Sequence, residues 1–241
     1  MPNYALLLSF VGTHFHGWQM QPGLRTVQGV LKEAIEKIFW DPVKLVGCCR
    51  TDAGVHAKEY VANFTASKYM DPETLLKALN SLLPEDIGIK RVWQEEGFNA
   101  RYSVKGKVYL YRILNSHSRD PFLDPFSWRI PYRLDYERML SASRLFLGLR
   151  DFSSFAKLEE GDKNTFINIE ELTMRREGEV IELKIRARSF LRHMVRRIVG
   201  CLVYLGLGKL REEDIEGYLL GRGKCPYTAK AKGLTLERVI L

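Results

Sequence analysis

Apolar residues recur along this chain with two distinct periods, and the alternation between them predicts the elements. Tyr4 to Phe10 is a short apolar run suited to a buried strand. Thr26 to Phe39 carries Val27, Val30, Leu31, Ala34, Ile35 and Ile38 at helical spacing. Val43 to Cys48 is strand-like, and a further strand is expected over Tyr60 to Thr65. Asp71-Pro72 has the form of an N-cap followed by proline at the first helical position, with Leu75, Leu76 and Leu79 behind it. Pro84 ends that helix, and Ile87 to Val92 reads as the next strand.

The second half repeats the style without an evident sequence repeat. Lys107 to Leu114 is strand-like, and Asp135 caps a helix expected to run through Leu147. Asn168 to Arg176 and Val180 to Arg188 flank Glu177-Gly178, a hairpin signal. In the later strand Ile181, Leu183, Ile185 and Ala187 alternate with Glu182, Lys184, Arg186 and Arg188, so one face is buried and the other charged. Ser189 to Leu205 reads as one long helix and Asp214 to Leu220 as a short one. Strands interleaved with helices, plus a hairpin, predict an α+β fold with mixed or antiparallel sheets flanked by helices. The boundary is placed near Val104 to Gly106. This gives an N-terminal domain over residues 1–104 and a C-terminal domain over 105–241.

Composition narrows the class. The 241 residues are 46% hydrophobic and 27% charged, enough for a core and too apolar for a disordered chain. A formal charge of +8 points towards polyanions: RNA, DNA or an anionic membrane surface. Met1-Pro2-Asn3-Tyr4 lacks a signal-peptide pattern. The apolar stretch Ile198 to Leu207 is shorter than the ~20 residues of a membrane span, so the expectation is a cytoplasmic protein that does not enter membranes. Cys48, Cys49, Cys201 and Cys225 match the spacing of neither a zinc site nor a disulfide framework, and free thiols are expected.

The candidate chemistry centres on Arg50-Thr51-Asp52-Ala53-Gly54-Val55-His56. Gly54 suits a tight turn, and Arg50 would hold a carboxylate ionised or grip a phosphate. Taken alone, Asp52 is either a catalytic carboxylate or a residue capping local amides. His14, His16 and His56 raise a metal site, but no Asp-rich or Cys-rich partner motif completes it. Trp18 offers an aromatic platform and Gln19 an amide able to read a base edge; a tryptophan packed beside a turn is the plainer alternative. Tyr109 and Tyr111, two apart on a strand, share a face that either stacks on an extruded base or fills the core. In the expected long helix Arg192 and Arg196 lie four apart on one side. Arg196 borders apolar neighbours, so it needs an anion such as Asp52.

Eight segments in order resemble the tRNA pseudouridine synthase A family: Gly17-Trp18-Gln19, Arg50 to Ala57, Asn80 to Pro84, Phe98 to Ser103, Lys107 to Tyr111, Asp151 to Phe155, His193 to Arg196 and Ala231 to Leu234. The resemblance implies the pseudouridine synthase fold, with two similar α+β domains, a basic cleft between them and a homodimer. It implies no metal and no organic cofactor. The activity it implies converts uridine to pseudouridine at positions 38, 39 and 40 of the anticodon stem-loop of tRNA. Asp52, Tyr109 and Arg196 would be the catalytic residues, with Arg50, Gln19, Trp18, His56 and Arg192 binding substrate. Cys49 stands where the family commonly has glycine before the arginine, and Met20 where it often has arginine. Two other classes compete: a non-catalytic RNA-binding module, which leaves Asp52 without a task, and a histidine-dependent metal hydrolase.

Overall fold

The computed structural model describes residues 1–158 and 164–241. The chain divides into two compact units, one of residues 1–105 with 236–241 and the other of residues 106–235.

In the first unit β1 (Asn3–Phe10) is followed by α1 (Val27–Phe39), a two-residue β2 (Val46–Gly47), β3 (His56–Thr65), α2 (Pro72–Leu82) and β4 (Ile87–Gln94). β1 is central, antiparallel to β3 on one side and to β4 on the other. Alternation sends Tyr4, Leu6 and Leu8 to the same face as their partners Phe64, Ala62 and Tyr60. That face is covered by the apolar stripe of α1, with Val27, Leu31 and Ile35 fully buried, and by Leu75 and Leu79 of α2. Both helices begin as the side chains dictate. Thr26 accepts from the Gly29 amide, and Asp71 accepts from the Thr74 amide with Pro72 in the first turn. The strand expected over Val43 to Cys48 shrinks to β2, which pairs with Asn63 and Ala62. Beyond it the Cys48 amide still donates to Val61 O of β3 at 2.9 Å.

The second unit holds β5 (Gly106–Leu114), β6 (Trp128–Arg129), α3 (Tyr136–Ser143), β7 (Gly148–Asp151), β8 (Phe166–Glu177), β9 (Val180–Ala187), α4 (Met194–Gly206) and α5 (Glu212–Leu219). β9 lies between β5 and β8, β7 pairs with β8, and β6 runs parallel to β5, so the sheet is mixed. The β8–β9 hairpin turns at Gly178 with φ +56°, and β9 alternates as its sequence predicts. α4 is the core helix, burying Met194, Val195, Ile198, Val199, Leu202 and Val203. The last strand, β10 (Leu234–Ile240), carries the chain back, and its residues from Leu236 on belong to the first unit.

Two helices are shorter than their patterns predict. α3 stops at Ser143 and tightens into a 3₁₀ turn over Arg144–Phe146. The helix expected from Ser189 starts only at Met194, because His193 adopts a left-handed backbone with φ +65°. Arg192 therefore sits in the turn before α4, with its carbonyl accepting from the Lys157 amide. It does not stack one helical turn from Arg196.

Candidate active site

Asp52 is half-buried in the loop between β2 and β3, and that loop is shaped mostly by backbone contacts with residues 12–18. The Trp18 amide donates to Thr51 O at 3.3 Å, and the Gly54 amide donates to Phe15 O at 3.2 Å. The Val55 amide donates to Asp52 O at 3.2 Å, closing the turn, and Gly54 takes φ +79° as its position requires. Two glycines permit this approach. A Cβ on Gly17, itself at φ +84°, would lie 2.3 Å from Thr51 O; one on Gly12 would lie 2.0 Å from Val55 O. Nothing larger fits without moving the loop.

The clamping segment is itself anchored. Arg25 forms a two-pronged ion pair with Asp86 at 2.8 and 3.0 Å and lies 4.0 Å over the ring of Phe15. The hydrogen bond from Asp86 raises the pKa of Arg25 further. On the other side of the loop, the Tyr60 hydroxyl donates to Cys49 O. Cys49 has no positive φ, so cysteine in place of glycine before Arg50 strains nothing.

The structure corrects the platform role of Trp18. Its ring is 2% exposed and stacked on Tyr60 at 4.2 Å, so it props the loop from below and presents no face to a base. His56 is also buried, and its Nδ1 accepts from the Gly12 amide at 3.0 Å. Gln19 and Arg50 are exposed, and the Gln19 side chain donates from Nε2 to Gln28 Oε1. His14 and His16 are exposed. Among the described residues no group of three His, Cys, Asp or Glu side chains assembles that could hold a metal. No helix among them is long and apolar enough to cross a membrane.

In the second unit Tyr109 and Tyr111 point the same way from β5 and both are buried, Tyr111 completely and Tyr109 with 7% of its surface exposed. Tyr111 is fully buried, its hydroxyl donates to Lys230 O at 2.7 Å, and a Cβ on Gly233 would lie 2.6 Å from its ring. Burial pushes its pKa up strongly, against the opposing charge of Arg196. Tyr109 meets the ring of Phe190 edge-on at 5.1 Å. Arg196, in the first turn of α4, donates from Nε to Ala229 O at 2.8 Å, and the Ala229 amide returns a bond to Arg196 O. The guanidinium is thereby fixed at its base. Arg192 is exposed. Gly12, Tyr60 and Ala229 escaped the sequence pattern, since each acts on a partner outside its own segment.

Asp52 thus sits on a backbone-clamped loop of the first unit, and Arg196 is fixed at the start of the core helix of the second. The model describing tRNA pseudouridine synthase matches residues 7–103 and again residues 142–240. The chain belongs to this family of isomerases. The two matched stretches support two similar domains. It is 52% identical to the tRNA pseudouridine synthase A of Aquifex aeolicus (strain VF5), over all of both chains. It is 40% identical to the enzyme of the same name from Thermoanaerobacter sp. (strain X514), again over all of both. The one from Dictyoglomus thermophilum is also 40% identical, over 99% of each.

Proposed function

We propose that this chain isomerises uridine to pseudouridine at positions 38, 39 and 40 in the anticodon stem-loop of tRNA, with Asp52 as the catalytic carboxylate. Family membership supports the reaction. The observation that carries the assignment of Asp52 is the clamped loop, since two glycines, three backbone hydrogen bonds and the Gly12–His56 bond hold the segment around one half-buried carboxylate.

The reaction breaks the N-glycosidic bond, turns the uracil and rejoins it through C5. Asp52 serves as the nucleophile, towards base or sugar, or as the base that takes a sugar proton, and each route needs it ionised. Arg196, held at its base by Ala229, supplies a fixed catalytic cation. Tyr109 stacks on the extruded base, while Arg50, Gln19 and Arg192 meet the RNA from exposed positions. Trp18 and His56 act indirectly, by supporting the loop. The enzyme works as a homodimer in the cytoplasm, without metal or organic cofactor. Sedimentation checks the oligomer.

Incubating the purified protein with unmodified tRNA and chelator, then mapping pseudouridine by position, tests the proposal. Product at 38–40 is expected; its absence, or a metal requirement, overturns the proposal. Arg196→Ala is expected to lower turnover by at least about tenfold more than Lys184→Ala, which removes an exposed cation from β9. Equal losses would remove Arg196 from the site. Arg192→Ala is expected to reduce the slope of log affinity against log salt by about one, measured by titration at several salt concentrations, with little change in kcat.

A further inference from the structure

Residues 221–229 form a strap laid along one row of α4, and its contacts run through Arg197, Gly200, Cys201 and Tyr204. Tyr227 stacks on Tyr204 at 3.8 Å. Its carbonyl lies so close to the helix that a Cβ on Gly200 would sit 2.5 Å from it. Ser154 holds the other end, donating from its hydroxyl to Gly223 O and accepting the Cys225 amide at its carbonyl. The strap is exposed except at Cys225 and Ala229, which are buried, and Tyr227, which is half-buried against Tyr204. Cys225 lands on Cys201 of α4: both are buried and their sulfurs are 2.8 Å apart. That separation is less than an ångström beyond the ~2.05 Å of a disulfide bond.

We propose that Cys201 and Cys225 are a covalent staple site, oxidised to a disulfide that ties the strap to α4. The spacing of the cysteines predicts free thiols, because residues 24 apart give no local signal of pairing; folding is what brings them together. The oxidant is a small-molecule disulfide of the glutathione class. The Cys225 thiolate attacks one sulfur of the oxidant and releases one thiol, leaving a mixed disulfide. Cys201, losing its proton, then attacks Cys225 Sγ and releases the second thiol. Two protein thiols and one small disulfide thus become one protein disulfide and two small thiols.

The order of attack follows from the surroundings. The hydrogen bond with Cys201, the Tyr227 backbone and the charge of Arg197 hold the Cys225 thiol below its ordinary range against burial. The same bond and burial within the helix row push Cys201 up. Cys225 also lies on the exposed strap, so local opening presents it first. The strap ends at Ala229, which anchors Arg196, so the staple fixes the same segment that fixes the arginine.

The test equilibrates the purified protein with reduced and oxidised glutathione, then alkylates it in denaturant and maps the peptides by mass. One disulfide joining the Cys201 and Cys225 peptides is expected, with Cys48 and Cys49 alkylated. The oxidised protein should melt roughly 5–15 °C above the reduced one, a difference absent from Cys225→Ser. Four alkylated cysteines in excess oxidised glutathione would overturn the proposal. So would a bond confined to Cys48 and Cys49, or a stable mixed disulfide at Cys225. If Cys225→Ser does not fold, the reduced and oxidised wild-type proteins still give the comparison, and equal melting overturns the staple.

Discussion

Asp52→Asn is expected to abolish pseudouridine formation, by roughly 10³-fold or more, while tRNA binding stays equal or becomes slightly tighter. The replacement is close to isosteric. Backbone contacts at Thr51, Asp52 and Gly54 help to shape the loop, and they survive the change. What is lost is the negative charge and the lone pair that the chemistry needs. Binding is expected to hold because affinity for RNA rests largely on phosphate contacts, and removing a carboxylate from a basic surface relieves repulsion. Single-turnover assays on unmodified tRNA, beside filter or fluorescence binding at fixed salt, give both quantities. A variant that still turned over near the wild-type rate would take Asp52 out of the reaction. A variant that lost binding and turnover together would make it a structural residue.

Gly17→Ala is expected to lower kcat by about 10²-fold while leaving every catalytic side chain chemically unchanged. Two costs combine. An L residue at φ +84° is strained by about 1–2 kcal/mol. The added methyl would also meet Thr51 O at 2.3 Å and Asp52 C at 3.2 Å, both backbone atoms that cannot swing aside. The loop must retreat, and a displacement on the order of 1 Å at a catalytic group costs about two orders of magnitude in rate. Gly23→Ala separates the two effects. Gly23 has φ +71°, but nothing lies within 4 Å of its would-be Cβ, so strain is present and collision is not. Melting temperature should fall in both variants, and kcat only in Gly17→Ala. If kcat fell equally in both, the clamp would have no role in placing Asp52.

Much of the fold is legible because its causes are local. The α1 stripe, the Asp71-Pro72 start of α2 and the strict alternation of β9 are each written in residues a few positions apart. Where tertiary contacts outweigh local preference, the pattern misleads. Residues 189–193 carry enough apolar side chains to extend α4, yet the left-handed His193 and the Lys157–Arg192 bond turn the chain out of the helix. Val43 to Cys48 looks like a strand, but pairing with β3 is confined to its end, at Val46 and Gly47 with a last bond from the Cys48 amide. The return of residues 236–241 to the first unit leaves no periodic trace at all, since strand partners are chosen by long-range pairing.

The same division runs through the site. Sequence alone determined that this is a basic α+β chain with an Arg-Thr-Asp turn, two tyrosines on one strand face and an arginine among apolar helix positions. Composition and short-range spacing carry that much. Only the tertiary structure decided which aromatics are scaffold, because burial depends on what packs above a residue: Trp18 under the loop and Tyr111 against Gly233. It also decided that Asp52 is held by a segment more than thirty residues earlier, that Arg196 is fixed by Ala229, and that Cys201 meets Cys225. Those are contacts between chain segments whose order in sequence says nothing of their distance in space.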